Sequence, residues 1–240
     1  MLVSVASVKG APGATRLAMT LTALWPSGAS PTLIEADAAG GTLAGRFGLS
    51  PSPSLTTLAA AVYSSVRDVR IGDHTQQLPG GLPVVVAPTD PAGVRAAVTD
   101  LAVADGLLER AAEDPDTVLV FDCGRLDAGQ LSPTLVVADE VLLVVRPLPE
   151  MVGPLNAAIK SLQSIGSRVR VVLRGAGYDA EEMSRTLGVE VAGRLPEAPE
   201  TGLFVRSRRA AYARSVQHIA LGITGHAQRK TAAGASEAVA

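Results

Sequence analysis

The sequence VKGAPGATR, residues 8–16, joins an apolar run to the start of a helical pattern. Its small residues allow backbone N–H groups to approach an anion closely, and a helix that begins near Thr15 adds the positive end of its dipole. A threonine at this place offers its hydroxyl group to Mg²⁺. The stretch therefore predicts a phosphate-binding loop between a buried strand and a helix. The alternative is an ordinary glycine-rich turn, because Ala14 stands where the general phosphate-loop pattern requires lysine.

The composition fits one α/β domain with a full core, because the chain has 240 residues, of which 47% are hydrophobic and 18% charged. The single cysteine, Cys123, rules out an internal disulfide and is typical of a cytoplasmic protein. A net charge of −2 and an aromatic content of 3% argue against a strongly electrostatic nucleic-acid binder and against base-stacking platforms. No run reaches the roughly 18 apolar residues that span a bilayer, so we expect no direct membrane insertion.

Short apolar runs alternate with helical patterns along the chain. Continuously apolar strands are covered on both faces of a sheet, and their alternation with helices implies parallel crossover units. The pattern predicts an α/β fold, a doubly wound and mostly parallel sheet with helices on both faces, in one domain over residues 1–226. Residues 227–240, rich in Ala, Gly and Ser, predict a disordered tail. Strands are predicted at residues 2–7, 32–35, 83–87, 117–122, 140–145, 168–173 and, at an edge, 189–192, and helices at residues 15–24, 55–64, 91–113, 150–165, 179–187 and 203–221.

Several segments, taken in order, resemble the motifs of the ParA/MinD family of dimeric P-loop ATPases. With Lys9 at its start, the glycine-rich loop resembles the variant loop K-G-G-x-G-K-[ST] of that family. The resemblance covers residues 1–222 and implies the P-loop NTPase fold. The other segments are LIEAD (residues 33–37), similar to the second strand and switch I, VLVFDCG (118–124), similar to the Walker B strand and switch II, and the later ADEVLLVV (138–145) and VAGRLP (191–196).

The resemblance implies ATP and Mg²⁺ as cofactors and gives individual residues a role. Lys9 is expected to reach across a homodimer to the partner's phosphates, and Asp37 to position the attacking water. Asp122 is expected to hold Mg²⁺ through water. The position of Asp122 at the end of a buried strand supports this role, because an unpaired carboxylate there would be costly. For Asp37, the alternative is a simple helix cap. The expected catalytic residues are thus Asp37 and Lys9, the metal ligands Thr15 and Asp122, and the cofactor-binding residues Lys9, Gly10, Ala11, Pro12, Gly13, Ala14, Thr15 and Arg16.

Three departures from the family pattern bear on activity. Ala14 replaces the lysine that neutralises the β- and γ-phosphates, so we expect weak or absent hydrolysis while backbone amides and Mg²⁺ still support binding. Arg16 either supplies part of the missing charge or is a solvated helix residue. Ala11 replaces a glycine, which is a mild change. Arg174 stands where relatives often carry an asparagine that reads adenine.

The resemblance implies a cytoplasmic spatial organiser that places a larger machine, such as a chromosome, a plasmid, or a pilus or secretion apparatus. The atypical phosphate loop is similar to that of the TadZ/CpaE-like localisation proteins. A protein partner is expected, and so is a homodimer, which either sandwiches the nucleotide or forms independently of it. Two alternatives stay open, an active DNA-partition ATPase and a nucleotide-free scaffold. Nonspecific DNA binding would use a basic cluster, for which a solvated helix face is the other interpretation: Arg206, Arg208, Arg209 and Arg214.

Overall fold

A computed structural model describes residues 1–9, 13–26, 28–64, 69–103, 106–127, 131–166, 168–197 and 205–237. In the final helix, side chains are described for residues 209–225. Three residues of the predicted phosphate loop, Gly10, Ala11 and Pro12, lie outside the described residues, as do the side chains of Arg206 and Arg208.

One eight-stranded sheet forms the centre of the molecule, with the strand order β3-β4-β2-β5-β1-β6-β7-β8. Neighbouring strands pair in parallel, apart from β3, which is antiparallel to β4. The predicted doubly wound, mostly parallel fold is therefore confirmed. The strands are β1 (Leu2–Ser7), β2 (Ser30–Glu35), β3 (Gln76–Leu78), β4 (Leu82–Val85), β5 (Thr117–Arg125), β6 (Glu140–Val145), β7 (Val169–Arg174) and β8 (Val191–Leu195).

Helices cover both faces of this sheet, because successive residues of the central strands point to opposite sides and most of them are apolar. In β1, Leu2 packs into one hydrophobic cluster and Val3 into the other, and both are buried. One cluster takes in α3, α4, α5, α7 and α8, and the other α1 and α9. The helices are α1 (Ala14–Ala23), α2 (Leu43–Phe47), α3 (Leu55–Tyr63), α4 (Pro91–Val103), α5 (Leu107–Glu113), α6 (Pro133–Val136), α7 (Pro149–Gln163), α8 (Ala180–Leu187) and α9 (Val205–Glu237).

The predicted elements occur in the predicted order, most bounds differ by one to a few residues, and the short helices α2 and α6 were not predicted. Two helices differ more. The helix predicted over residues 91–113 is two helices, because Gly106, at the start of α5, has a φ of +68° that a continuous helix does not allow. The last helix, α9, continues to Glu237 over most of the segment predicted as a tail. The domain boundary at residue 226 stays a prediction. No helix in the described ranges combines the length and apolarity that crossing a membrane requires.

Candidate functional site

The candidate site lies at the carboxyl ends of β1, β2 and β5, which run parallel and side by side. In the register of the sheet, Asp122 of β5 lies between Val5 of β1 and Glu35 of β2. Strands β2 to β5 lie on one side of β1, and β6 to β8 on the other. Ligands of open α/β sheets bind outside the carboxyl ends of the strands where the strand order reverses in this way.

Helix α1 begins at this edge of the sheet, directly after Gly13. Gly13 has a φ of +130°, which glycine adopts readily, and its carbonyl accepts a hydrogen bond of 2.8 Å from the amide of Leu17. No described side chain caps the start of the helix. The first N–H groups of α1 therefore point toward the phosphate loop, and such groups attract an anion.

Thr15 and Asp122, the two predicted magnesium ligands, are in contact. The carboxylate of Asp122 accepts hydrogen bonds from the Thr15 hydroxyl and from the amide of Gly124, the latter at 3.1 Å. Burial raises the pKa of Asp122 to about 6, against the effect of these two hydrogen bonds, and Asp37 and Glu35 raise it further. A hydroxyl and a carboxylate are oxygen donors of the kind that Mg²⁺ prefers.

Asp37 completes the cluster from the loop that follows β2. Its Oδ1 accepts a hydrogen bond of 2.9 Å from the amide of Ala39, and burial raises the pKa of its carboxyl group. Gly124 approaches so closely that a Cβ on it would overlap the Asp37 carboxyl group. Asp37 thus holds its own loop instead of capping a helix, and it borders a cavity of about 570 Å³ that is also lined by Arg95 and Arg125.

Glu35 has a structural role that the sequence pattern did not reveal. Its buried carboxylate accepts hydrogen bonds from the amides of Thr42 (2.6 Å) and Leu43 (2.9 Å) through Oε1 and from the amide of Ala87 (2.9 Å) through Oε2. These bonds join the loop after Asp37 to the segment that follows β4. The sequence shows an acidic residue, Glu35, two positions before Asp37. It does not show which amides Glu35 binds, because the tertiary structure brings them to it.

The remaining loop residues are placed as follows. Lys9 is exposed at the end of β1, and Ala14, the first residue of α1, is buried with 3% of its surface exposed. The guanidinium carbon of Arg16 lies 4.6 Å from the centroid of the Tyr212 ring in α9, which is a cation–π geometry. Arg16 is therefore held against an aromatic ring of α9.

Arg174, the last residue of β7, also reaches the start of α1. Its Nη1 lies 3.4 Å from the position that a Cβ on Gly13 would take. Burial raises the pKa of Tyr212 to about 12, and the positive charges of Arg16 and Arg174 oppose this shift. Both guanidinium groups therefore act on Tyr212, and Arg174 also lies against Gly13.

The side chains of the site do not enclose a metal ion by themselves. Within the described parts of the chain, no group of three or more His, Cys, Asp or Glu residues is arranged to hold one. Thr15 and Asp122 supply two oxygen donors, so a magnesium ion here would need further oxygens from phosphate groups and water. Cys123, beside Asp122, takes no part, because burial raises the pKa of its thiol to about 12.

Comparison with solved structures identifies proteins of the same fold. The septum site-determining protein MinD of Pyrococcus horikoshii, complexed with Mg-ADP, is 17% identical, with a TM-score of 0.68 over 92% of this chain and 95% of that chain. A ParA family ATPase of Chlorobium tepidum is 18% identical, with a TM-score of 0.63 over 92% and 90%. The MinC:MinD cell division protein complex of Aquifex aeolicus gives 18% identity and a TM-score of 0.67 over 94% and 96%. No family model and no curated protein matched the sequence. The chain thus has the ParA/MinD fold.

Proposed function

We propose that the chain is a positioning protein of the ParA/MinD kind, which binds ATP with Mg²⁺ and hydrolyses it weakly or not at all. The observation that carries the proposal is the hydrogen bond between Thr15 and Asp122 at the start of α1. It holds two oxygen donors together at the end of the sheet where this fold binds ligands. The MinD of P. horikoshii, which has the same fold, was solved in complex with Mg-ADP.

The residues present fit a magnesium nucleotide. Asp122 is only 1% exposed, and its two hydrogen bonds leave part of the acceptor capacity of its carboxylate unused. A bound cation would stabilise this buried charge. Thr15 and Asp122 would hold the metal, and the phosphates would lie against the loop of Lys9, Gly13 and Arg16 together with Gly10, Ala11 and Pro12. The bound metal would neutralise phosphate charge.

Weak hydrolysis follows from Ala14. A preorganised donor at the developing charge of a transition state contributes about 10²–10³ in rate, so its loss reduces turnover more than binding. Asp37 would accept a hydrogen bond from the attacking water, and its position beside an open cavity leaves room for that water. The proposed protein therefore converts bound ATP to ADP slowly, if at all.

Calorimetry of ATP and ADP, each with and without Mg²⁺, tests the proposal. We expect Mg²⁺-dependent binding, and we expect Asp122→Asn to weaken it by at least about tenfold, because a charge-assisted metal contact is lost. Asp73→Asn, which changes an exposed carboxylate outside the proposed set of site residues, is the matched control. If neither nucleotide binds to the unaltered chain, the nucleotide-free scaffold becomes the better description.

The proposal includes a homodimer in which Lys9 reaches the nucleotide of the partner. Lys9 is exposed at the edge of the sheet that carries the site, so its side chain is available to a second copy. Lys9→Ala should weaken ATP-dependent dimerisation in sedimentation velocity while the free energy of unfolding stays unchanged. Lys160→Ala, at an exposed position of α7, is the control. A Lys9→Ala protein that dimerises like the unaltered chain contradicts this role.

We also propose a protein partner that belongs to a larger machine. The likeness to the MinC:MinD complex supports a partner in general and does not name one. A fluorescent fusion in the cells that produce the protein should form discrete foci or zones, and Asp122→Asn should disperse them. A uniform distribution of both fusions contradicts the positioning role but leaves the calorimetric result standing.

A further inference from the structure

The positive charge missing at Ala14 has a candidate replacement on another element. Arg174 ends β7, and β7 is separated from β1 by β6 alone, so the carboxyl ends of all three parallel strands lie at one edge of the sheet. From there the Arg174 side chain runs past Gly13, with Cδ 3.6 Å, Cζ 3.7 Å and Nη1 3.4 Å from the Cβ position of that glycine. A second observation agrees, because Arg174 acts electrostatically on Tyr212, the residue over which Arg16 lies.

We propose that Arg174 donates hydrogen bonds to the phosphates of the bound nucleotide and supplies the cation that Ala14 does not. This inference rests on the proposed function, since it concerns the ligand of the same site. A guanidinium group presents several donors in a planar fork that suits phosphate oxygens, and it stays charged at any physiological pH. Its place against the N-terminal end of α1 puts it beside the backbone donors that hold phosphate.

The local structure accommodates such a role. Gly13 has no side chain, so the arginine lies directly against the backbone of the loop. Ala14 is buried and uncharged, so no lysine competes for the same phosphate oxygens. The adjacent β8 fixes the end of β7, because Arg174 pairs with Leu195 in the sheet and the amide of Gly175 donates to the carbonyl of Leu195 at 3.0 Å.

A contact to the base is the competing role for Arg174. The two roles differ in the part of the ligand that they need, and inorganic tripolyphosphate with Mg²⁺ separates them, because it carries the phosphates without a base. If Arg174 binds phosphate, Arg174→Gln should weaken ATP, ADP and tripolyphosphate alike, by about tenfold to a hundredfold, the usual size of a hydrogen bond to a charged group. Arg174→Lys should keep part of the affinity, because it retains the charge but not the planar fork of donors.

The decisive measurement is calorimetric binding of these ligands to four proteins: the unaltered chain, Arg174→Gln, Arg174→Gln combined with Ala14→Lys, and Arg185→Gln. Arg185 is an exposed arginine of α8 and serves as the matched charge control. Restoring a lysine at position 14 should recover most of the affinity lost in Arg174→Gln, because the new charge serves the same phosphates. The free energy of unfolding, measured in urea, confirms that each variant is folded.

Three results would overturn the inference. Unchanged ATP affinity in Arg174→Gln shows that there is no contact. Loss of ATP affinity with unchanged tripolyphosphate affinity assigns Arg174 to the base. Loss of both without recovery by Ala14→Lys shows that Arg174 does not replace the lysine. In each of these cases the unaltered chain still binds ATP, whereas failure of the proposed function appears as absent binding to that chain itself.

Discussion

A Cβ atom on Gly124 would overlap the carboxyl group of Asp37. Asp37 follows β2 and Gly124 lies near the end of β5, so the two residues belong to different segments. Each limits the position of the other. Gly124 has a φ of +59°, so alanine there also adopts an unfavourable backbone conformation. The glycine of the DCG sequence is thus explained by the carboxylate that it faces.

Gly124→Ala should therefore cost more stability than a glycine-to-alanine change at a comparable φ. Gly188 has a φ of +66° and open space around its Cβ position, so Gly188→Ala measures the backbone effect alone, about 1 kcal/mol. We expect Gly124→Ala to lose a further 1–3 kcal/mol, approximately the cost of overpacking, in urea unfolding.

A double variant tests the cause. Asp37→Ala removes the atoms that the new Cβ would meet. In the Asp37→Ala background, Gly124→Ala should therefore lower the free energy of unfolding by no more than Gly188→Ala does in the unaltered chain. Additive losses from the two single changes would mean that the overlap is relieved in another way.

Glu35 should contribute measurably to stability through the three amides that it binds. Glu35→Gln keeps the volume but removes the charge and puts an NH₂ group against N–H donors, so we expect a loss of about 1.5–3 kcal/mol in the free energy of unfolding. Hydrogen exchange at the amides of Thr42, Leu43 and Ala87 should become faster. Glu113→Gln, at an exposed position of α5, should change stability by less than about 0.5 kcal/mol. Unaltered exchange at the three amides would contradict the structural role of Glu35.

The sequence predicted the parallel strands well because they are apolar on both faces. The bounds of β1 and β6 match the prediction, since every residue of both strands is buried and most of them are apolar. Strand β3 is missing from the prediction, because its sequence, QQL, has no such run, and its pairing with β4 depends on the turn between them.

The site could be predicted only where the motif and the geometry coincide. Thr15, Asp37 and Asp122 occupy motif positions, and the structure places them together. The role of Glu35 depends on an amide 52 positions away, and the approach of Arg174 to Gly13 depends on the order of strands in the sheet. Neither relationship is written in a local pattern.

A buried ion pair at the opposite end of the sheet should make stability depend on pH. Glu140 of β6 lies 2.8 Å from Nε of Arg170, and burial raises the pKa of its carboxyl group to about 7, against the effect of Arg170 and then Arg168. A carboxyl group with a raised pKa in the folded state stabilises the fold at low pH, and this contribution is lost as the pH rises through the folded-state value.

The free energy of unfolding of the unaltered chain should therefore fall, relative to that of Glu140→Gln, by about 1–3 kcal/mol between about pH 5 and about pH 8. Urea unfolding across this range measures the difference. Glu190→Gln removes a nearby negative charge that helps to raise the pKa of Glu140, so it should reduce this pH dependence only in part, because burial is the larger cause. Equal slopes for the unaltered chain and Glu140→Gln would contradict the raised pKa.

Restoring a lysine at position 14 should raise ATP turnover. Ala14 is the first residue of α1 and stands where the phosphate-loop pattern has its lysine, and one added donor at the transition state is worth at least about tenfold in rate. Steady-state phosphate release measures the effect. Ala23→Lys, at the exposed last residue of the same helix, is the control. A chain that already turns over as fast as ordinary P-loop ATPases, with no change in Ala14→Lys, would contradict weak hydrolysis.

DNA binding separates machine placement from the alternative of DNA partition. Arg209 and Arg214 are exposed on α9, and Arg206 and Arg208 belong to the same helix with side chains outside the described residues. Four arginines neutralise at most about four phosphates, and the net charge of the chain is −2. We therefore expect no tight duplex complex without nucleotide and only a modest gain with ATP, when a dimer doubles the basic surface.

Fluorescence anisotropy with a labelled duplex, over a series of salt concentrations, tests this expectation. If the cluster binds phosphate at all, each arginine replaced by alanine should reduce the slope of log affinity against log salt by about one unit. Arg185→Ala, on α8, is the control for a general change of charge. Sub-micromolar binding at moderate salt that disappears in Arg208→Ala combined with Arg209→Ala would contradict the expectation. It would also favour DNA partition over machine placement, because a solvated helix face would not lose affinity so sharply when two charges are removed.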